Sequence, residues 1–146
     1  MGQENEPAVT TPTFAYYLPV VQKASLFSRT ENSPFYLQNY ANHAGCNWLG
    51  IAGEVFDLTG EPVLVDSYQV HIWGSGIDNH VAVGSAPEYG PAAWELVLND
   101  SPLVRDYSIR LETIHGTAVS PTYHLQTRAK CAENLIIFNF VQVTPT

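Results

Sequence analysis

The chain has 146 residues, of which 45% are hydrophobic and 14% charged, the size and composition of one ordinary domain and not of a globally disordered chain. Six basic residues against fourteen acidic ones set a formal charge of −8, and the basic ones (Lys23, Arg29, Arg105, Arg110, Arg128 and Lys130) are scattered along the chain. A nucleic-acid partner needs a basic stripe to neutralise phosphates, so that class is excluded, and an anionic membrane surface is disfavoured on the same ground.

Residues 1–13 carry Pro7 and Pro12 without periodicity, the composition of a flexible tail. No apolar run approaches the roughly 18 residues of a membrane-spanning helix, so no transmembrane segment is expected. Met1 to Glu6 show neither a basic start nor an apolar signal core, so an exported protein is expected to have lost its signal before this sequence. Residues 14–45 read as an extended arm, in which Phe14 to Val21 and Phe35 to Tyr40 flank a polar stretch from Ser28 to Asn32. Pro19 and Pro34 make these segments edge strands or arms, because proline cannot donate to a central ladder.

From Cys46 onward the pattern alternates with period two, and the sandwich domain is placed at 46–146. Strand one runs from Ile51 to Phe56 and closes at Leu58-Thr59-Gly60-Glu61-Pro62. Strand two puts Tyr68, Val70 and Ile72 on one face and Gln69, His71 and Trp73 on the other, before the breaker Gly74-Ser75-Gly76. His80 to Val83 form a short third strand, Trp94 to Leu98 the fourth, Tyr107 to Glu112 the fifth and Tyr123 to Arg128 the sixth. The seventh, Leu135 to Val143, is apolar on both parities near its start and is therefore expected to be central. Seven short strands separated by turn residues point to an all-β sandwich or barrel.

The segment Gly50 to Val63, followed by Tyr68 to Trp73, resembles the opening of carboxypeptidase regulatory-like domains. Gly53, Val55 and Asp57 match that family's first strand, Gly60 and Pro62 its tight turn, and Val70 and Ile72 its second strand. Tyr89-Gly90 and Trp94 to Leu96 stand near a later family strand, with Pro91 to Ala93 departing from its spacing. The resemblance covers residues 50–98 and extends to small secreted bacterial proteins. It implies a seven-stranded Greek-key, transthyretin-like sandwich, an extracellular or cell-surface setting and a structural, adhesive or self-assembly role. It carries no catalytic residue and no cofactor.

The two cysteines, Cys46 and Cys131, lie 85 positions apart and cannot form a four-thiolate zinc site. A disulfide in an oxidising compartment and two buried thiols are the alternatives. Cys46 stands about five residues before Ile51 and Cys131 about four before Leu135, a matched offset ahead of strands expected to run in parallel. The bridge is therefore expected.

Among His43, His71, His80, His115 and His124 no metal-ligand spacing on a helix occurs, and no metal site is assigned. His71 and His124 are expected on outer strand faces, where they approach across a sheet or stay solvated. Ser75 lacks the helix that a nucleophile elbow requires, and no catalytic residue is assigned. Trp73, with His71 and Tyr89, is the candidate glycan-binding group, and a packed aromatic is the other reading of Trp73. The segment containing Phe14, Tyr16, Tyr17, Leu18 and Val20 is β-prone and needs a cover. It either folds back on its own domain or pairs with the next subunit of a homo-oligomer or filament.

Overall fold

The computed structural model describes residues 25–146; the tail and the assembly segment with Phe14, Tyr16, Tyr17, Leu18 and Val20 lie outside the described residues. The described chain is all-β. Its strands are β1 (Phe27–Arg29), β2 (Phe35–Leu37), β3 (Leu49–Phe56), β4 (Tyr68–Gly74), β5 (Ile77–Ala82), β6 (Ala93–Asn99), β7 (Asp106–Thr113), β8 (Tyr123–Gln126), β9 (Leu135–Ile137) and β10 (Phe140–Gln142). One sheet is mixed, in the order β1-β10-β3-β9-β2 with β6 also on β3; the other is antiparallel, in the order β5-β4-β7-β8.

The period-two pattern dictates how the sheets meet. Val70 and Ile72 of β4, Ile109 and Leu111 of β7 and Leu125 of β8 face Ile51 and Val55 of β3, Trp94 of β6, Ile136 of β9 and Phe140 of β10 in one core. Trp94 is fully buried. Asp57 caps the turn after β3, its Oδ1 accepting from the Thr59 and Glu61 amides at 2.8 and 3.0 Å. Gly60 takes a φ of +86° in that turn, a conformation that favours glycine.

β3 and β9 run side by side in parallel, Ile51 opposite Ile136. That arrangement brings the loops ahead of both strands together, and Cys46 and Cys131 are joined there with their Cα atoms 5.0 Å apart. Buried Asn134 fastens the same corner, donating to the carbonyls of Gly45 and Trp48 at 2.8 and 3.0 Å and accepting from the Asn39 amide at 2.8 Å. The opposite face of the mixed sheet carries a second cluster of Trp48, Ala52, Leu135 and Ile137, covered by Leu37, Ala44 and Tyr89. The apolar start of the last strand reflects this double covering.

Three sequence expectations need correction. The stretch from Ser28 to Asn32, read as a polar spacer, contains most of β1, and the adjoining Phe27 is fully buried in the main core. A three-residue edge strand with one inward side chain is too short to produce visible alternation. The third strand begins at Ile77, because Ser75 and Gly76 (φ +49° and +89°) form a two-residue hairpin turn and not a chain break. The seventh strand is interrupted at Phe138 and Asn139, giving β9 and β10. A Cβ on Gly53 would overlap the Phe138 carbonyl oxygen, which marks where the two backbones converge. Asn139 bridges the interruption by accepting from the Glu54 amide at 2.8 Å while its own amide donates to Ser33 Oγ at 2.8 Å.

Candidate functional site

Residues of the antiparallel sheet that point away from the core form a connected polar cluster. The Ser75-Gly76 turn sets the β4–β5 register, pairing Gly74 with Ile77, Trp73 with Asp78 and His71 with His80. On the other side of β4, His71 pairs with Arg110 and Gln69 with Glu112 of β7. Side chains on one face of neighbouring strands lie close together, so this register gathers two imidazoles, two carboxylates, a guanidinium and an indole.

Glu112 is the buried anchor, only 1% exposed although it lies on the outer face. Gln69 Nε2 donates to its Oε1 at 2.9 Å, and Arg110 Nε and His71 Nδ1 meet its Oε2 at 2.7 and 2.8 Å. His80 Nε2 lies 3.5 Å from Oε1. Burial pushes the Glu112 carboxyl up, but the hydrogen bonds from Gln69, Arg110 and His71 outweigh it and hold the group below the ordinary carboxylate value.

His71 is held on every side. Its Nε2 lies 2.6 Å from Asp78 Oδ1, its ring stacks on His80 at 4.0 Å, and Trp73 packs against it at 4.3 Å. Asp78 is 71% exposed and His80 44%, so the cluster opens to solvent along β5, the edge strand. One ligand atom from each of His71, Asp78 and His80 lies within 4.8 Å of the other two.

The predicted site residues separate. His71 and Trp73 sit together as expected, but the half-buried Trp73 ring is engaged by His71 and by the Arg110 guanidinium 5.4 Å from its centroid. Tyr89 lies on the outer face of the mixed sheet, within the second cluster. Its hydroxyl donates to Glu95 Oε2 at 2.7 Å, and burial together with that carboxylate raises its pKa well above the ordinary tyrosine value, so the hydroxyl stays protonated. Beside it, Phe35, Leu37, Tyr40, Glu54, Ile137 and Asn139 line a cleft of about 280 Å³. Burial raises the Glu54 carboxyl. His124, for which approach to His71 and a solvated outer position were the alternatives, is exposed and meets Ser108, with Nδ1 3.0 Å from Oγ; it lies on β8, beyond β7, whereas His71 is on β4.

Sequence reasoning missed His80, Asp78 and Glu112 as partners of His71. The signal was present in the two-residue turn, which fixes every β4–β5 pairing once Ser75-Gly76 is read as type I′ chemistry. Glu112 is less accessible to reasoning, because it reads as an ordinary outward strand position. No family model, no curated protein and no solved structure matches the chain.

Proposed function

We propose that this chain is a non-catalytic β-sandwich module of an extracellular or cell-surface protein, with a structural, adhesive or self-assembly role. The observation that carries the reading is the Cys46–Cys131 bridge, which ties the entries of the parallel strands β3 and β9 at a solvent-facing corner where Cys46 is exposed. An exposed disulfide persists in an oxidising compartment and is reduced in a cytosolic one. Among the described residues no helix is long and apolar enough to cross a membrane.

The Greek-key, transthyretin-like form belongs to this proposal. Its support is the succession β3 to β8 followed by the joint strand β9–β10, with β6-β3-β9 in one sheet and β5-β4-β7-β8 in the other. The motif of the carboxypeptidase regulatory-like resemblance falls on β3 and its turn, where Gly53, Asp57 and Gly60 have backbone tasks. The non-catalytic reading draws support from the Ser108–His124 pair: the only bond His124 makes among the described residues is to Ser108, without a carboxylate to orient the imidazole as a base.

Self-assembly is tested by size-exclusion chromatography and electron microscopy of the full chain and of one lacking residues 1–24. If the arm joins subunits, the full chain forms high-mass particles or filaments and the shortened chain is a soluble monomer. If it covers its own domain, the full chain is monomeric and the shortened one aggregates.

Glycan binding is the second reading, favoured at the Tyr89 cleft rather than at Trp73. Phe35 and Tyr40 are exposed there, and Tyr40 stands edge-on to Tyr89 at 6.0 Å beside Glu54 and Asn139. Aromatic faces with a few polar groups suit a sugar ring. On a glycan array, Tyr40→Ala removes binding and Trp73→Ala spares it; binding that survives Tyr40→Ala sinks this reading.

A further inference from the structure

We propose that His71, His80 and Asp78 form a site for a divalent transition-metal ion of borderline softness, zinc in the first instance, with Glu112 orienting His71 from behind. The proposal is independent of the module's compartment and assembly. Its first support is the donor set. Two imidazoles and a carboxylate suit zinc, copper(II) or nickel(II), whereas calcium and magnesium take oxygen ligands.

The second support is the orientation of His71. Its Nδ1 lies 2.8 Å from Oε2 of Glu112, a carboxylate itself fixed by Gln69 and Arg110. A carboxylate on one ring nitrogen fixes the tautomer and aims the other nitrogen at a metal, the arrangement seen behind metal-bound histidines generally. Here the aimed atom is Nε2, which points to Asp78 at 2.6 Å on the solvent side. With Nδ1 donating to Glu112, a lone pair on Nε2 would face a carboxylate oxygen. At 2.6 Å that contact has the length of a hydrogen bond, and a metal ion taking the place of its proton requires the two atoms to part.

The third support is the freedom of the remaining ligands. Zinc ligands about 2.0–2.1 Å from the metal stand roughly 3.4 Å apart in a tetrahedron, so Asp78 must withdraw slightly and the His80 ring must turn out of its stack. Their side chains are 71% and 44% exposed on an edge strand, which permits both movements. Three protein ligands leave a fourth position facing solvent for water or a group from another molecule.

Isothermal titration with zinc chloride tests the proposal on the full, disulfide-intact chain and on His80→Gln, Asp78→Asn and His115→Gln. His115 lies in the turn after β7, outside the cluster. The expected result is one zinc per chain, affinity lowered at least about tenfold by His80→Gln and by Asp78→Asn, no change with His115→Gln, and no heat with magnesium or calcium. Cobalt(II) added to the unaltered chain is expected to give the visible absorption of a four-coordinate nitrogen-ligated ion, a readout that does not depend on how the variants fold. Absence of zinc binding up to about 1 mM, the weak end of ordinary affinities, overturns the proposal. So does zinc binding unaltered in both cluster variants, or a cobalt spectrum of the fully hydrated ion.

Discussion

Asp57 illustrates how much one side chain can do where no ligand is involved. Its carboxylate accepts from the Thr59 hydroxyl, the Glu61 amide and the Thr59 amide, and those bonds hold it below the usual aspartate value. A depressed carboxyl contributes stability that is complete above the unfolded-state value and is lost as pH falls through the folded-state value. Asp57→Ala is therefore expected to melt a few degrees below the parent chain at pH 7. The gap narrows below about pH 4, where the unfolded-state aspartate begins to protonate, and closes as pH falls through the lower folded-state value. Thermal melts followed by circular dichroism at both pH values check this, and a gap that widens in acid contradicts the assignment. This residue's task was legible, because Asp-Leu-Thr-Gly is turn chemistry at short range. His71 was legible only as an outward strand residue, since its partners arrive from two other strands.

At the scale of elements, the glycines of the first strand and its turn answer to different constraints. Gly60 is in open space, so a side chain there meets only the strain of its positive φ. Gly53 has no room, because β3 and the β9–β10 interruption approach most closely at Phe138. Gly60→Ala is expected to destabilise by about 1–2 kcal/mol. Gly53→Ala should exceed that, at roughly 3 kcal/mol or more, since a buried backbone must move. Urea midpoints rank the two, and a Gly53 cost at or below that of Gly60 shows that the strands can separate without penalty. The long strands β3, β4 and β7 were readable because each has one face in the main core, which imposes alternation. β1 and the interruption in the last strand were not. The first is too short to show a period, and the second depends on Asn139 receiving the Glu54 amide and contacting Ser33 from distant parts of the chain.

For the whole molecule, the disulfide closes a loop across a sequence separation of 85. In the chain-entropy account, such a link stabilises by about 4–5 kcal/mol through the unfolded state. Reduction, or joint Cys46→Ser and Cys131→Ser replacement, is expected to lower the melting temperature by many degrees while leaving the β-sheet spectrum native at low temperature. An unchanged melting temperature removes the main support for an oxidising compartment. The bridge was foreseeable because the two cysteines stand at nearly equal offsets, about five and about four residues, ahead of two apolar strands. Composition, alternation and turn residues by themselves determined an all-β architecture and a central last strand, since each follows from local periodicity or short-range backbone chemistry, while the cysteine bridge was an expectation that needed β3 and β9 to pair in parallel. Only the tertiary structure decided that β1 and β2 complete the mixed sheet, that Tyr89 and Trp73 lie on opposite sheets, and that His71, His80, Asp78 and Glu112 converge. Those relations depend on inter-strand register and on which sheet each strand joins, and both are settled by long-range packing of the core.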